Sequence, residues 1–109
     1  MSEYVSFEQF KKIELRIGRI VSVENHPAAD KLYIMKIDIG GKLVQSVAGL
    51  KPYITKEALE NRLVAVVCNL EPAMLRGVRS EAMLLAAQEG EKVVLLVPET
   101  EISVGSIVK

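Results

Sequence analysis

Two arginines three residues apart, Arg76 and Arg79, bracket Gly77 within a polar, proline-containing stretch that runs from Glu71 to Ser80. A guanidinium is a planar fork that grips phosphate through paired hydrogen bonds or stacks on a base. A glycine beside it lets backbone approach a ligand closely. Alone, this pattern leaves a ligand-binding loop and a solvated loop equally open. Two further segments hold residues that are neither obvious core nor turn filler. Asn25 to Leu32 contains His26, Asp30 and Lys31, and reads equally as a rigid connection in which Asp30 satisfies backbone N–H groups. Ala48 to Tyr53 reads equally as a turn.

Other chemistries find little to work with. The chain has one cysteine, Cys68, inside the apolar run Leu63 to Cys68, and one histidine, His26. A single Cys and a single His cannot build a four-ligand zinc site within one chain. Cys68 lacks the electropositive surroundings that activate a thiol and reads as a small buried hydrophobe in a reducing compartment. Asp30 and Glu81 lie near loops without forming an acid–base pair, and no glycine loop of the phosphate-cradling kind is present. A non-enzymatic chain without metal or cofactor is expected.

Formal charge is zero over 109 residues, which argues against a strong nonspecific polyanion binder. Its distribution is uneven. Residues 1–30 are net −1 and residues 80–109 net −3, whereas residues 31–79 are net +4, with eight basic side chains against four acidic. Any polyanion should meet the middle of the chain. The first twelve residues have no apolar stretch of the secretory kind, and no segment reaches membrane-spanning length, so a cytoplasmic protein with no membrane contact is expected.

The elements that must position these residues read mostly as strands. Ser6 and Gln9 have capping-box spacing, which predicts a short helix from about Phe7 to Lys12 with Phe7 and Phe10 placed to plug a barrel end. Leu15 to Val23 alternates apolar and polar, with Gly18 marking a bulge or bend. Leu32 to Ile39 alternates again, putting Tyr33, Met35, Ile37 and Ile39 on one face. Gly40-Gly41 is a two-residue hairpin turn into a third strand, Lys42 to Ala48. Thr55 caps a short helix. Leu63 to Asn69 is an apolar strand, Ala82 to Ala87 and Val93 to Val97 form a further pair, and the tail after Thr100 suits one more edge strand. Half-buried barrel positions suit Tyr33 and Tyr53, and Met74 reads slightly better as core filler than as ligand contact.

Three strands, a helix and two strands is the order of an all-β fold, the five-stranded OB-fold Greek-key barrel. Here it carries a short N-terminal helix, one short helix between strands three and four, and a C-terminal extension. Residues 1–109 read as one domain.

The three loops read together resemble the tRNA-binding domain found at the C-terminus of many methionyl-tRNA synthetases. That domain also occurs as a free-standing dimeric tRNA-binding protein, in auxiliary proteins of animal synthetase complexes, and in bacterial phenylalanyl-tRNA synthetase β-chains. The resemblance rests on Leu15 to Ile20, His26 to Tyr33, Ala48 to Leu50, Asn69 to Pro72 and Met74 to Ala87, which occur in the family's order. It implies a non-catalytic module that binds tRNA by shape, as a homodimer or as an accessory to an aminoacyl-tRNA synthetase. It also implies roles. Lys31, Lys36 and Arg76 would contact phosphate or sugar; Arg79, Ser80 and Met83 would line the RNA cleft; Asn69 would organise the loop by hydrogen bonding. Glu71 stands where the family usually has a basic residue, Ala48 where it often has serine, and Ala82 where glycine is common. The Glu71 change lowers the expected affinity. A chaperone-like or protein-interaction role of the same barrel is the alternative.

Overall fold

A computed structural model describes residues 3–109. The first element, α1 (Phe7–Lys11), is capped reciprocally: Gln9 N–H donates to Ser6 Oγ at 3.1 Å, and Ser6 N–H donates to the Gln9 side chain at 3.2 Å. Both orphan donors are thereby satisfied, which is what the Ser–Gln spacing predicts. The helix nevertheless buries nothing. Phe7 and Phe10 are 70% and 41% exposed, so they do not plug the barrel. That expectation fails because another residue fills the interior: Leu59 of α2 (Lys56–Leu59), fully buried.

Strand β1 (Leu15–Asn25) is the organiser of the sheet, because its two halves pair with different neighbours. Leu15 to Arg19 runs antiparallel to β4 (Leu63–Val67), and Arg19 to Asn25 antiparallel to β2 (Tyr33–Asp38). The register shift falls between Ile20 and Ser22, not at Gly18. Gly18 serves a different need. A Cβ there would stand 2.7 Å from Ile37 Cγ2 and 3.1 Å from Asp38 O, so β1 passes its neighbours closer than any side chain allows.

The β2 alternation holds: Tyr33, Met35, Ile37 and Ile39 are buried. Gly40 and Gly41, at φ +100° and +82°, turn the chain into β3 (Leu43–Ala48), a conformation glycine adopts without steric cost. The turn fixes the register, so Lys36 pairs with Gln45 and Ile34 with Val47.

The second half departs more from expectation. The segment expected to be a polar loop is a hairpin, β5 (Ala73–Leu75) and β6 (Val78–Ser80), turning at Arg76-Gly77. The strand expected over Ala82 to Ala87 breaks at Leu85. β7 (Met83–Leu84) pairs with β4, while β8 (Ala86–Glu89) pairs with β9 (Lys92–Leu95) in a separate hairpin. Leu85 bridges the two pairings, donating to Ala65 O of β4 and accepting from Leu96 N–H just past β9. The tail lies along the outer edge of β1, where Ile17 N–H donates to Ser106 O and Val108 N–H to Leu15 O.

The sheet order β3-β2-β1-β4-β7 wraps into a nearly closed five-stranded antiparallel barrel of the OB type. Its core is aliphatic: Ile20, Met35, Ile37, Leu59, Val64 and Val66 are fully buried. No backbone ladder joins β7 to β3. The seam is made instead by the segment Arg79 to Glu81 and the outer edge of β3.

Candidate nucleic-acid interface

The β5–β6 hairpin carries Arg76 and Arg79 and lies against β3. Arg76 occupies the first turn position at φ +52°, followed by Gly77 at +85°. This turn normally selects Asn or Gly, since other residues meet their own backbone there. Cross-strand pairing sets Met74 beside Arg79 on the hairpin's exposed side, so Met74 is not core filler.

Below the hairpin, Gln45 connects three elements. Its side-chain oxygen accepts from Lys36 Nζ, and its side-chain amide donates to Arg79 O at 2.7 Å. Its backbone N–H donates to Glu81 Oε1 at 3.0 Å. Gln45 thus links the Lys36 side chain to the Arg79 backbone, and Ser22 flanks Lys36 on its other side in register. Glu81 Oε2 lies 3.5 Å from Arg79 Nε. The Gln45 backbone bond, aided by Arg79 and opposed by partial desolvation, holds the Glu81 carboxyl below its ordinary value.

At the hairpin tip, Arg76 shares a cavity of about 380 Å³ with Ala29, Asp30, Lys31 and Leu32 from the β1–β2 loop. The segment after β3 lies against the same loop, for a Cβ at Gly49 would stand 3.8 Å from Leu32 Cδ2. The three segments singled out in the sequence thus meet at one end of the barrel. The basic residues of the middle third do not all join them. Arg62 lines a different cavity with Arg19, Glu99 and Glu101. Lys42 follows the Gly40-Gly41 turn, at the other end of β2, about 20 Å along the strand.

Other expected contacts have structural duties. The Ser80 hydroxyl accepts from Val47 N–H at 3.0 Å, so it is engaged in the barrel seam. Met83, half exposed, lines an apolar cavity of about 200 Å³ beneath the hairpin, with Val47, Leu70 and Leu75. The side-chain hydrogen bonds of Asn69 run to the segment before β1. Its side chain accepts from Glu14 N–H at 2.8 Å and donates to Lys12 O at 2.7 Å, tying the entry to β1 onto the end of β4. Tyr33 is buried and donates its hydroxyl to Ile54 O at 2.8 Å, and burial pushes the phenol above its ordinary value. It offers no stacking face. Cys68 is half buried and its thiol is likewise pushed up, first by desolvation and then by Glu14. Among the described residues no three His, Cys, Asp or Glu side chains group as metal ligands, and no helix is long and apolar enough to cross a membrane.

Gln45 was not singled out from the sequence. The signal was available, because a two-residue turn at Gly40-Gly41 dictates that Lys36 faces Gln45 across the ladder.

The sequence signature of the family described as "tRNA binding domain" matches residues 15–107. The chain belongs to the tRNA binding domain family. Among curated relatives, a methionine–tRNA ligase of Pyrococcus furiosus is 58% identical over 107 residues, covering 98% of this chain and 15% of that protein. A cytoplasmic tyrosine–tRNA ligase of Danio rerio is 49% identical over 82 residues, covering 73% of this chain and 16% of that protein. The chain thus spans about 15% of the length of the methionine–tRNA ligases first among its relatives. Two solved structures match it end to end. A MetRS-related protein from Pyrococcus horikoshii superposes with a TM-score of 0.91 at 29% identity, covering 99% of this chain and all of that one. The chaperone CsaA from Bacillus anthracis superposes at 0.86, also at 29% identity, covering 98% and 100%. The stretch matched to the tRNA binding domain runs from β1 through the β1–β2 loop and the hairpin into the tail.

Proposed function

We propose that residues 1–109 act as one non-catalytic module that holds tRNA across the β2–β3 wall and the loops at its end. The observation that carries this reading is that Lys31 and Arg76 line one cavity, while Gln45 bonds both the Lys36 ammonium and the Arg79 backbone on the neighbouring wall. Phosphate contacts from such groups supply affinity without reading sequence, and the barrel's shape selects the fold of the RNA. Glu71, Asp30 and Glu81 temper the potential, so binding is moderate and strongly dependent on salt.

The module works as a homodimer in the cytoplasm and serves an aminoacyl-tRNA synthetase. Support for self-association comes from α1 and the tail, where Phe7, Phe10, Ile13 and Ile107 border one apolar groove of about 440 Å³. Exposed apolar surface of this kind marks contact with another macromolecule. Support for the synthetase link comes from the ligases among its relatives.

Binding of tRNA across a salt series, with light scattering to report mass, tests the reading. Affinity should fall steeply with salt, and Arg76→Ala or Arg79→Ala should each reduce the logarithmic salt slope by about 1. Binding that ignores salt and both substitutions would overturn it. It would favour instead a peptide-binding role, for which the apolar cavity beneath the hairpin is the supporting feature.

A further inference from the structure

His26 is 5% exposed, and both of its ring nitrogens are hydrogen-bonded. Nδ1 accepts the N–H of Ala28 at 2.9 Å, and Nε2 lies 3.0 Å from the carbonyl oxygen of Leu75. A carbonyl only accepts, so Nε2 carries the proton; a backbone N–H only donates, so Nδ1 carries none. The arrangement fits one species, the neutral imidazole protonated at Nε2. The ring's two partners belong to different segments. Ala28 is in the β1–β2 loop three residues before Lys31, and Leu75 immediately precedes Arg76.

We propose that His26 is a positioning residue for tRNA, a clasp that fixes the cationic hairpin tip against the cationic loop and releases it on protonation. This role rests on the tRNA-binding reading above. The hairpin is otherwise tied to the barrel at its other end, through Ser80, Gln45 and Glu81, five or more residues from Leu75 along the chain except at Arg79 O. Near its tip, the His26–Leu75 bond is the polar contact that sets where Arg76 stands relative to Lys31. The ring itself is held by its own backbone, since His26 N–H donates to Leu32 O and Leu32 N–H to Ala29 O.

Protonation would give Nδ1 a hydrogen that faces the Ala28 N–H. Two donors would then meet in a buried site, and the ring must move or the loop must open. Charged groups on the surrounding elements are Glu24, Asp30 and Lys31 on its own strand and loop, Arg76 and Arg79 on the hairpin, and Lys51 after β3. None of them is hydrogen-bonded to the ring. The sign of the effect is diagnostic. An added positive charge beside an intact polyanion site strengthens binding, whereas a released clasp weakens it.

The test measures tRNA affinity at fixed salt at about pH 7.5 and about pH 5.5, a window that brackets the ordinary range of an imidazole, of which the chain has one. Wild-type protein, His26→Ala and His26→Gln are compared, with amide hydrogen exchange of the RNA-free proteins beside them. The wild type should lose about tenfold on acidification, with faster exchange of Ala28 and the hairpin amides but not of the β1–β4 ladder. His26→Ala should bind about tenfold more weakly at both pH values with no acid-dependent step. His26→Gln, whose amide can still donate to Leu75 O, should recover part of the affinity and also lack the step. Wild-type binding that tightens on acidification, or variants that keep the wild-type affinity and pH profile, would overturn the clasp alone. Exchange decides the point if His26→Ala does not fold, because wild-type protein and His26→Gln carry the comparison. A wild type that ignores tRNA at both pH values overturns the functional reading, and the positioning role with it.

Discussion

Gln45 and Glu81 exchange two hydrogen bonds across the gap between β3 and β7: Glu81 N–H donates to Gln45 O at 2.7 Å, and Gln45 N–H donates to the Glu81 carboxylate at 3.0 Å. A regular ladder would use two backbone carbonyls. Here a side chain stands in for one of them, so the seam of the barrel contains a titratable group.

Stability should therefore depend on acid at this seam. Glu81 is held below its ordinary value by the Gln45 bond, so its contribution is present above the unfolded value and is lost as pH falls through the folded one. Chemical denaturation from about pH 7 to about pH 3 should show part of the acid loss disappearing in Glu81→Gln. Glu81→Ala, which leaves the Gln45 N–H without a partner, should destabilise the fold by about 1–2 kcal/mol at neutral pH.

Ser80 is expected to matter for folding before it matters for RNA. Replacing it by alanine removes the acceptor for Val47 N–H, a partly buried donor, and should cost about 1–2 kcal/mol in denaturant titrations. At temperatures where the variant stays folded, its tRNA affinity should match that of the wild type. A selective loss of affinity without loss of stability would return Ser80 to the RNA surface.

Arg76 presents the opposite trade. Its left-handed backbone is one that Asn or Gly adopts more easily, so Arg76→Gly or Arg76→Asn should raise the unfolding free energy by about 0.5–1 kcal/mol. The same substitutions should weaken tRNA binding through loss of the guanidinium. A residue kept at a strained turn against its own stability points to use of its side chain.

The barrel was legible in the sequence where a period or a turn left a mark. Alternation assigned the buried face of β2 residue by residue, and Gly40-Gly41 fixed how β2 meets β3. Thr55 and Ser6 announced their helices through capping. The hairpin over 73–80 escaped because its strands are three residues each and an arginine takes a place usually held by Asn or Gly. The seam escaped because bonds from side chain to backbone have no periodicity. Phe7 and Phe10 sit on the helix that the Ser6–Gln9 spacing predicts but stay outside the barrel, since an apolar pair tells that it needs cover without telling what covers it. Arg62 shows the limit of reading charge along the chain: it belongs to the basic middle third and lies beside Glu99 and Glu101 in space.

Gly40 and Gly105 meet back to back, so that a Cβ on Gly40 would stand 3.0 Å from Gly105 Cα, and a Cβ on Gly105 would stand 3.1 Å from Gly40 Cα and from Ile39 O. Both have positive φ, and neither position admits a larger residue without parting the two. Parting them would lift the tail from β1 and uncover the backbone of Leu15 and Ile17. An uncovered strand margin recruits whatever extended polypeptide is nearby. Any residue larger than glycine at either position would press on that margin from within the fold.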